Sequence, residues 1–334
     1  MGLLEYKTIP KIIITPGDID GIGAEITGKA LLQMGQSHPL PPLWVWRAPN
    51  VQLKLWMSLN RLFQRFVCNE NHFEDSLAAT WASQTLIEVE TDIEPHRWFE
   101  RSVKACQKRL AGGIVTGPLS KSTPYSDDGC PGHTAILRKV YPQLPLHMGF
   151  VGKYFNAVLA TDHIPIKNVP SSLNPTILQQ SLIAAETLRQ GLPSRSRNRP
   201  LGLVGLNPHA GEKGILGSEE QTHFTTALQW ARNNNISVAG PLVPDVAFQK
   251  RNWTRYSVYV CPYHDQALIP FKLIHGFKAV HITIGLPFTR TSVDHGTAKD
   301  IYGKNQAVSD SMKLAIRYAI AATKNKKGTF REKK

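Results

Sequence analysis

Short, unbroken apolar runs recur along the chain, each closed by a polar or glycine-rich turn. They occupy 11–14 before T-P-G-D, 113–115 before T-G-P-L-S-K, and 154–160 before T-D-H. Three more lie at 201–206 before N-P-H-A-G-E, 257–261 before P-Y-H-D-Q, and 279–284 before G-L-P. Continuous rather than alternating runs predict strands buried on both faces of a mostly parallel sheet. Helical patterns fall between them. Asn174-Pro175 sets a cap before a proline at the first helical position, and Leu178, Leu182, Ala185 and Arg189 follow at helical spacing to a stop at Gly191. Ser218-Glu219-Glu220-Gln221 has capping-box spacing ahead of a helix towards Asn233. The stretch 309–323 presents Met312, Ile316 and Ala319 on one face. Strand alternating with helix predicts an α/β protein. Residues 39–110, with five of the seven tryptophans, show no such rhythm.

Length changes the picture only by suggesting two domains, since 334 residues exceed one typical domain. Cys68, Cys106, Cys130 and Cys261 have no paired spacing, so neither a disulfide framework nor a zinc ribbon is expected. The start lacks a signal-peptide pattern, and no apolar run nears the ~18 residues of a membrane span. A soluble, cytoplasmic protein is the expectation. The formal charge of +14 raises the question of nucleic acid. Much of it lies in Lys324, Lys326, Lys327, Arg331, Lys333 and Lys334 at the terminus, and in Arg195, Arg197 and Arg199 on a Pro/Ser-rich loop. Such positions read as solvated surface, so no nucleic acid is expected. An anionic small molecule explains part of the charge equally well.

The candidate chemistry gathers at strand ends. His163, His209 and His264 each stand just past a predicted strand, the edge at which open α/β sheets bind ligands. One such histidine is an ordinary loop residue; three suggest a shared divalent metal. Asp265 or Asp162 could add a carboxylate ligand or orient an imidazole. The turn at 15–25 contains Gly21 and Gly23, but Ile26 stands where a dinucleotide fingerprint needs glycine, so it reads as a tight turn with close helix packing. The stretch 285–301 carries arginine, hydroxyls, a carboxylate and histidine, which suits an extended polar site. Arg290 there could bind phosphate or carboxylate bidentately, and Lys272 could supply a second charge. Gly132-His133-Thr134, after a loop through Asp127, Asp128 and Gly129, offers phosphate-holding donors or a helix start. No G-x-S-x-G elbow or P-loop is present. The residues alone lead to an α/β metalloenzyme acting on a small anionic substrate.

These motifs, in order, resemble the 4-hydroxythreonine-4-phosphate dehydrogenase family of vitamin B6 synthesis. The matching stretches are I-T-P-G-D-I-D-G-I-G, V-T-G-P-L-S-K, G-H-T, A-T-D-H-I-P, G-L-N-P-H-A-G-E, Y-H-D-Q-A-L and G-L-P-F-T-R-T-S-V-D-H-G-T-A. The last string is the most specific. The resemblance implies two α/β/α domains flanking a cleft, as in isocitrate- and isopropylmalate-type dehydrogenases. One domain would take residues 1–125 with 285–334, the other 126–284 with the metal and dimer contacts. It implies an NAD- or NADP-dependent oxidoreductase using one divalent metal per site, zinc, magnesium or cobalt. The reaction would oxidise and decarboxylate 4-phosphohydroxy-L-threonine to 3-amino-2-oxopropyl phosphate in pyridoxal 5'-phosphate synthesis.

By position, the resemblance puts the metal on His163, His209 and His264, with His264 from the partner subunit of a homodimer whose active sites lie at the interface. Asp245 and Asp265 fall near the metal. His133, Thr134, Lys272, His281 and Arg290 fall on substrate contacts. His295, Gly296, Thr297, Ala298, Asp300 and Ile301 fall on the cofactor's adenine-side loop. Departures are His281 for asparagine, Ala24 for proline and Asp162 for threonine. No residue is assigned as general base. The nearest alternative is a relative acting on 4-phospho-threonate or 4-phospho-erythronate, which lack the amine.

Overall fold

The structure, a computed structural model, describes residues 10–49, 53–120 and 132–325. Its strands are β1 (Ile12–Thr15), β2 (Leu43–Arg47), β3 (Gln64–Asn69), β4 (Thr85–Glu90), β5 (Gly113–Thr116) and β6 (His147–Gly152). They continue as β7 (Asn156–Leu159), β8 (Leu201–Val204), β9 (Val238–Leu242), β10 (Tyr259–Cys261), β11 (Ala279–Ile284) and β12 (Thr289–Ser292). The longer helices are α1 (Gly23–Ser37), α2 (Pro95–Gln107), α3 (His133–Val140), α4 (Pro175–Gln190), α5 (Thr225–Asn233), α6 (His264–His275) and α7 (Asp310–Asn325). The six predicted runs all became strands, within a few residues of their predicted limits. Among the described residues, no helix is long and apolar enough to cross a membrane.

The chain divides into two units, residues 1–142 with 287–334, and residues 143–286. The expected breaks at 125/126 and 284/285 are displaced to 142/143 and 286/287. The first displacement has a local cause: α3 packs into the first unit, where the His133 ring meets Phe99 of α2 edge-on at 4.6 Å.

In the first unit the strands are all parallel, in the order β3-β4-β2-β1-β5-β12. Its central strands β1 and β5 are buried throughout, which is why they read as unbroken apolar runs. The stretch 39–110 supplies β2 to β4 and α2. Trp44, Trp46, Trp56 and Trp98 are among its largest buried side chains. Glu88 of β4 is fully buried, bonded by Arg47 of β2 at 2.5 Å and by Arg65 of β3.

In the second unit the order is β11-β6-β7-β10-β8-β9, with β6 antiparallel to both neighbours and β7, β10, β8 and β9 parallel. The Asn174 side chain caps α4 as read, accepting from the Ile177 N–H at 3.0 Å. An aromatic core of Phe150, Phe155, Tyr259 and Phe271 fixes α6 on the sheet.

Candidate active site

Strands β7, β10 and β8 are parallel neighbours, so their C-terminal ends open on one edge. His163, His264 and His209 follow those ends directly. The pairing of β7 with β10 continues past the strands. Ala160 N–H donates to Cys261 O at 2.8 Å, and Thr161 N–H and Oγ1–H both donate to Pro262 O, at 3.1 and 2.7 Å. This zipper brings the His163 and His264 rings to 5.1 Å between centroids. Asp265 Oδ1 lies 2.7 Å from His264 Nδ1, which leaves Nε2 to face a ligand. The Gln266 side chain donates to Gly205 O at 2.7 Å and ties the start of α6 to the end of β8. The resemblance draws His264 from a partner, yet within one chain it already stands beside His163.

His209 is exposed on a turn of left-handed backbone. Asp245 is exposed on the short helix Pro244–Ala247. Among the described residues, no three His, Cys, Asp or Glu side chains gather as a metal needs. His209 and Asp245 therefore do not join the His163–His264 pair in the single chain. Lys272 is exposed on α6, two turns beyond His264.

The first unit holds the anion-binding candidates. The polar stretch after Gly285 is not a loop throughout, because Thr289–Ser292 is a buried strand beside β5. Arg290 is 3% exposed, and its Nη2 donates to Thr116 Oγ1 of β5 at 2.8 Å. Burial pushes its guanidinium down to about 9, so it stays protonated at neutral pH. Burial and the Arg290 charge hold His133 well below the usual histidine range. A neutral His133 and Thr134 open α3, where backbone N–H groups favour an anion.

The cofactor-loop candidates lie beside the turn after β1. Ile22 N–H donates to Thr297 O at 3.0 Å, and Ala298 is left-handed. His295 Nδ1 lies 3.0 Å from Gly296 O, and Asp300 and Ile301 end a short turn. The 15–25 turn is tight, as expected: a Cβ on Gly23 would lie 1.8 Å from Pro16 O. Sequence reasoning missed Asp18. Its buried Oδ2 accepts from Ser120 N–H at 3.0 Å, and Lys299 reaches both Asp18 and Asp20, at 3.6 and 2.8 Å. Burial pushes Asp18 up, while the bond to Asp20 raises Lys299. Lys121, the loop through Asp127, Asp128 and Gly129, and the tail from 326 lie outside the described residues.

His281 is buried in β11. Directly opposite it in register is Phe150 of β6, and the two rings stack at 5.0 Å and 22°. Phe150 packs in turn on Phe271 of α6. His281 is only 8% exposed. The sheet's alternation turns its ring onto this aromatic packing.

The model of the pyridoxal phosphate biosynthetic protein PdxA family matches residues 88–319. The chain belongs to the PdxA family. A PdxA relative named 4-hydroxythreonine-4-phosphate dehydrogenase, from Sulfurihydrogenibium sp., is 34% identical over 325 residues, covering 93% of this chain and 97% of its own. A Salmonella typhi relative, proposed to be a D-threonate 4-phosphate dehydrogenase, is 32% identical over 95% of this chain and 99% of its own. The solved 4-hydroxythreonine-4-phosphate dehydrogenase of Klebsiella pneumoniae matches with TM-score 0.76 at 27% identity, over 96% of this chain and 100% of its own. The PdxA fold extends to isocitrate dehydrogenase of Methylococcus capsulatus, with TM-score 0.50 at 13% identity over 95% and 88% of the two chains. The expected α/β class, like isocitrate and isopropylmalate dehydrogenases, is therefore the observed one.

Proposed function

We propose that this chain oxidises 4-phosphohydroxy-L-threonine at its 3-hydroxyl and decarboxylates the product to 3-amino-2-oxopropyl phosphate, using NAD or NADP and a divalent cation. The observation that carries the reading is the delivery of three imidazoles to one sheet edge by neighbouring parallel strands in a PdxA-family chain. Nitrogen donors of this kind suit zinc or cobalt better than magnesium. His163, His209 and His264 would hold the cation, with Asp265 orienting His264 and Asp245 nearby. When bound, it supplies positive charge at the reacting hydroxyl and at the enolate left by carbon dioxide. The nicotinamide supplies the hydride acceptor.

The protein's own groups supply binding and orientation. Arg290, set by Thr116, would grip an anionic group bidentately, while neutral His133 and the Thr134 hydroxyl donate hydrogen bonds. Lys272 contributes a point charge. His295, Gly296, Thr297, Ala298, Asp300 and Ile301 would line the adenosine, on a loop fastened to the β1–α1 turn by Ile22 and Lys299. Fixing the substrate by its far end converts binding energy into orientation.

A homodimer with shared sites belongs to the same reading. Ile269 is 67% exposed, Leu273 84% and Phe277 61%, on or just beyond the helix that carries His264, and Ile215 beside the His209 turn is 79% exposed. Apolar exposure of this kind fits a second copy, and one chain alone leaves His209 apart from the His163–His264 pair. His209→Ala and His264→Ala chains, each inactive, should regain activity as mixed dimers, because one of the two sites then keeps both histidines. Proven mixed dimers without activity would assign each site to one chain. The reaction itself is tested by following NAD reduction with 4-phosphohydroxy-L-threonine, with and without chelator, beside 4-phospho-D-threonate. Faster turnover of the threonate would move the substrate to the amine-free class, and no turnover of either would end the reading.

A further inference from the structure

We infer that Glu220 is a positioning residue for His209, its buried carboxylate holding in shape the left-handed turn that carries the imidazole. The inference rests on the metal-binding reading above. Residues His209, Ala210, Gly211, Glu212 and Lys213 all have positive φ, at 53°, 52°, 78°, 41° and 57°. Only Gly211 adopts that region without steric conflict; the other four crowd Cβ against the backbone, and a run of five is not self-sustaining. Something outside the turn must hold it.

Glu220 does so from the residues that lead into the turn and from beside its middle. It is 3% exposed, and its Oε1 accepts the Leu206 and Asn207 backbone N–H groups at 2.8 and 2.7 Å. Its Oε2 accepts from Asn207 Nδ2 at 2.9 Å, and Glu219 Oε2 shares that donor at 2.8 Å. Asn207 O receives the Ala210 N–H at 3.0 Å, linking the gripped residues to the turn. On the far side a Cβ on Gly211 would stand 2.7 Å from Glu220 Oε2, so the carboxylate also seats the middle of the turn. A carboxylate accepting several fixed donors is a strong, directional anchor. The capping-box spacing from Ser218 falls on Gln221 rather than Glu220, and the Glu220 bonds run 13 and 14 residues back. Glu220 opens a π-helical stretch, Glu220–Phe224, a widening that often marks functional positions.

The test uses the full-length protein and zinc alone. Zinc affinity is measured by competition with a chromophoric chelator for wild type, Glu220→Gln and His209→Ala. Hydrogen exchange of the Leu206 and Asn207 amides and far-UV circular dichroism are followed alongside. Glutamine keeps one acceptor oxygen but turns an NH₂ towards a donor. The expected result for Glu220→Gln is zinc affinity lower by about 10- to 100-fold, faster exchange at both amides, and an unchanged circular dichroism spectrum. Wild-type zinc affinity in Glu220→Gln would overturn the inference. If Glu220→Gln fails to fold, Glu220→Asp, which keeps the charge but shortens its reach to Leu206 and Asn207, decides by the same measurement. A wild type that binds zinc no better than His209→Ala would overturn the metal reading, and the inference with it.

Discussion

In the first unit the strongest candidate for meeting an anion is built into a strand, with Arg290 3% exposed and bonded to Thr116 across the sheet. In the second unit the candidate metal ligands stand on loops, with His163 and His209 exposed and His209 on strained backbone. The desolvation of the Arg290 guanidinium is met during folding, so an incoming anion finds its charge already placed. The histidine edge is different: one pair is formed and His209 stands apart, so on the metal-binding reading proposed above a cation would have to complete the set. On the proposed reading, substrate affinity would be set by sheet packing and metal affinity by turn geometry.

The largest effects should come from the incomplete edge. His209→Ala is expected to lose bound metal and roughly 10³-fold in kcat, the several kcal/mol that a cation supplies to developing charge. Its fold should persist, because the side chain is exposed. Full turnover by a demonstrably metal-free variant would contradict this. Arg290→Lys should act on the other term, replacing the fork by a point charge. A loss of roughly 2 to 3 kcal/mol corresponds to KM higher by about 30- to 150-fold, with zinc affinity untouched. Thr116→Val removes the acceptor that aims Arg290, together with a long bond to Thr291 O at 3.3 Å, and about 1 kcal/mol predicts KM near fivefold higher. A Thr116→Val enzyme with altered zinc affinity but normal KM would reverse the contrast between the units.

The same contrast separates what the amino-acid pattern reveals from what it hides. Strands β1, β5, β8 and β11 are legible because burial on both faces leaves continuous apolar runs. The histidine edge is legible too, since each imidazole directly follows such a run. β4 is obscured by Glu88, whose burial becomes tolerable only through Arg47 and Arg65 on neighbouring strands. β12 is obscured because T-R-T-S is polar, and its place in the core comes from pairing with β5 and from partners far off in the chain, Thr116 for Arg290 and Ala315 O for Thr291. Glu220 is invisible for the same reason at shorter range. His281 is placed by position alone, and the structure adds its register and stacking against Phe150. His281→Asn should therefore change substrate Kd by less than about threefold, the scale of one weak contact. Its Kd-against-pH curve should run parallel to wild type. Affinity that weakens with rising pH in wild type alone would put the ring on the phosphate after all.

The smallest expected effect concerns His275, at the end of the helix that begins with His264. It is 6% exposed among Tyr154, Phe155 and Phe271. Its Nδ1–H donates to Phe271 O at 2.9 Å, while Nε2 accepts the Tyr154 N–H at 3.1 Å. That arrangement needs a neutral ring, and burial lowers its pKa. The sign follows directly. Above the unfolded value of about 6.5 both states are neutral and the full contribution is present. Below it the unfolded chain binds a proton that the folded chain refuses, so stability falls with pH until the folded pKa is passed. The loss is read as a lower Tm at acid pH. Glutamine can donate to Phe271 O and accept from Tyr154 N–H without titrating. The Tm of His275→Gln should thus fall less than that of wild type between pH 7 and pH 5.5. Equal slopes would place the acid sensitivity elsewhere, first at His133, a histidine of the first unit whose burial also favours the neutral ring.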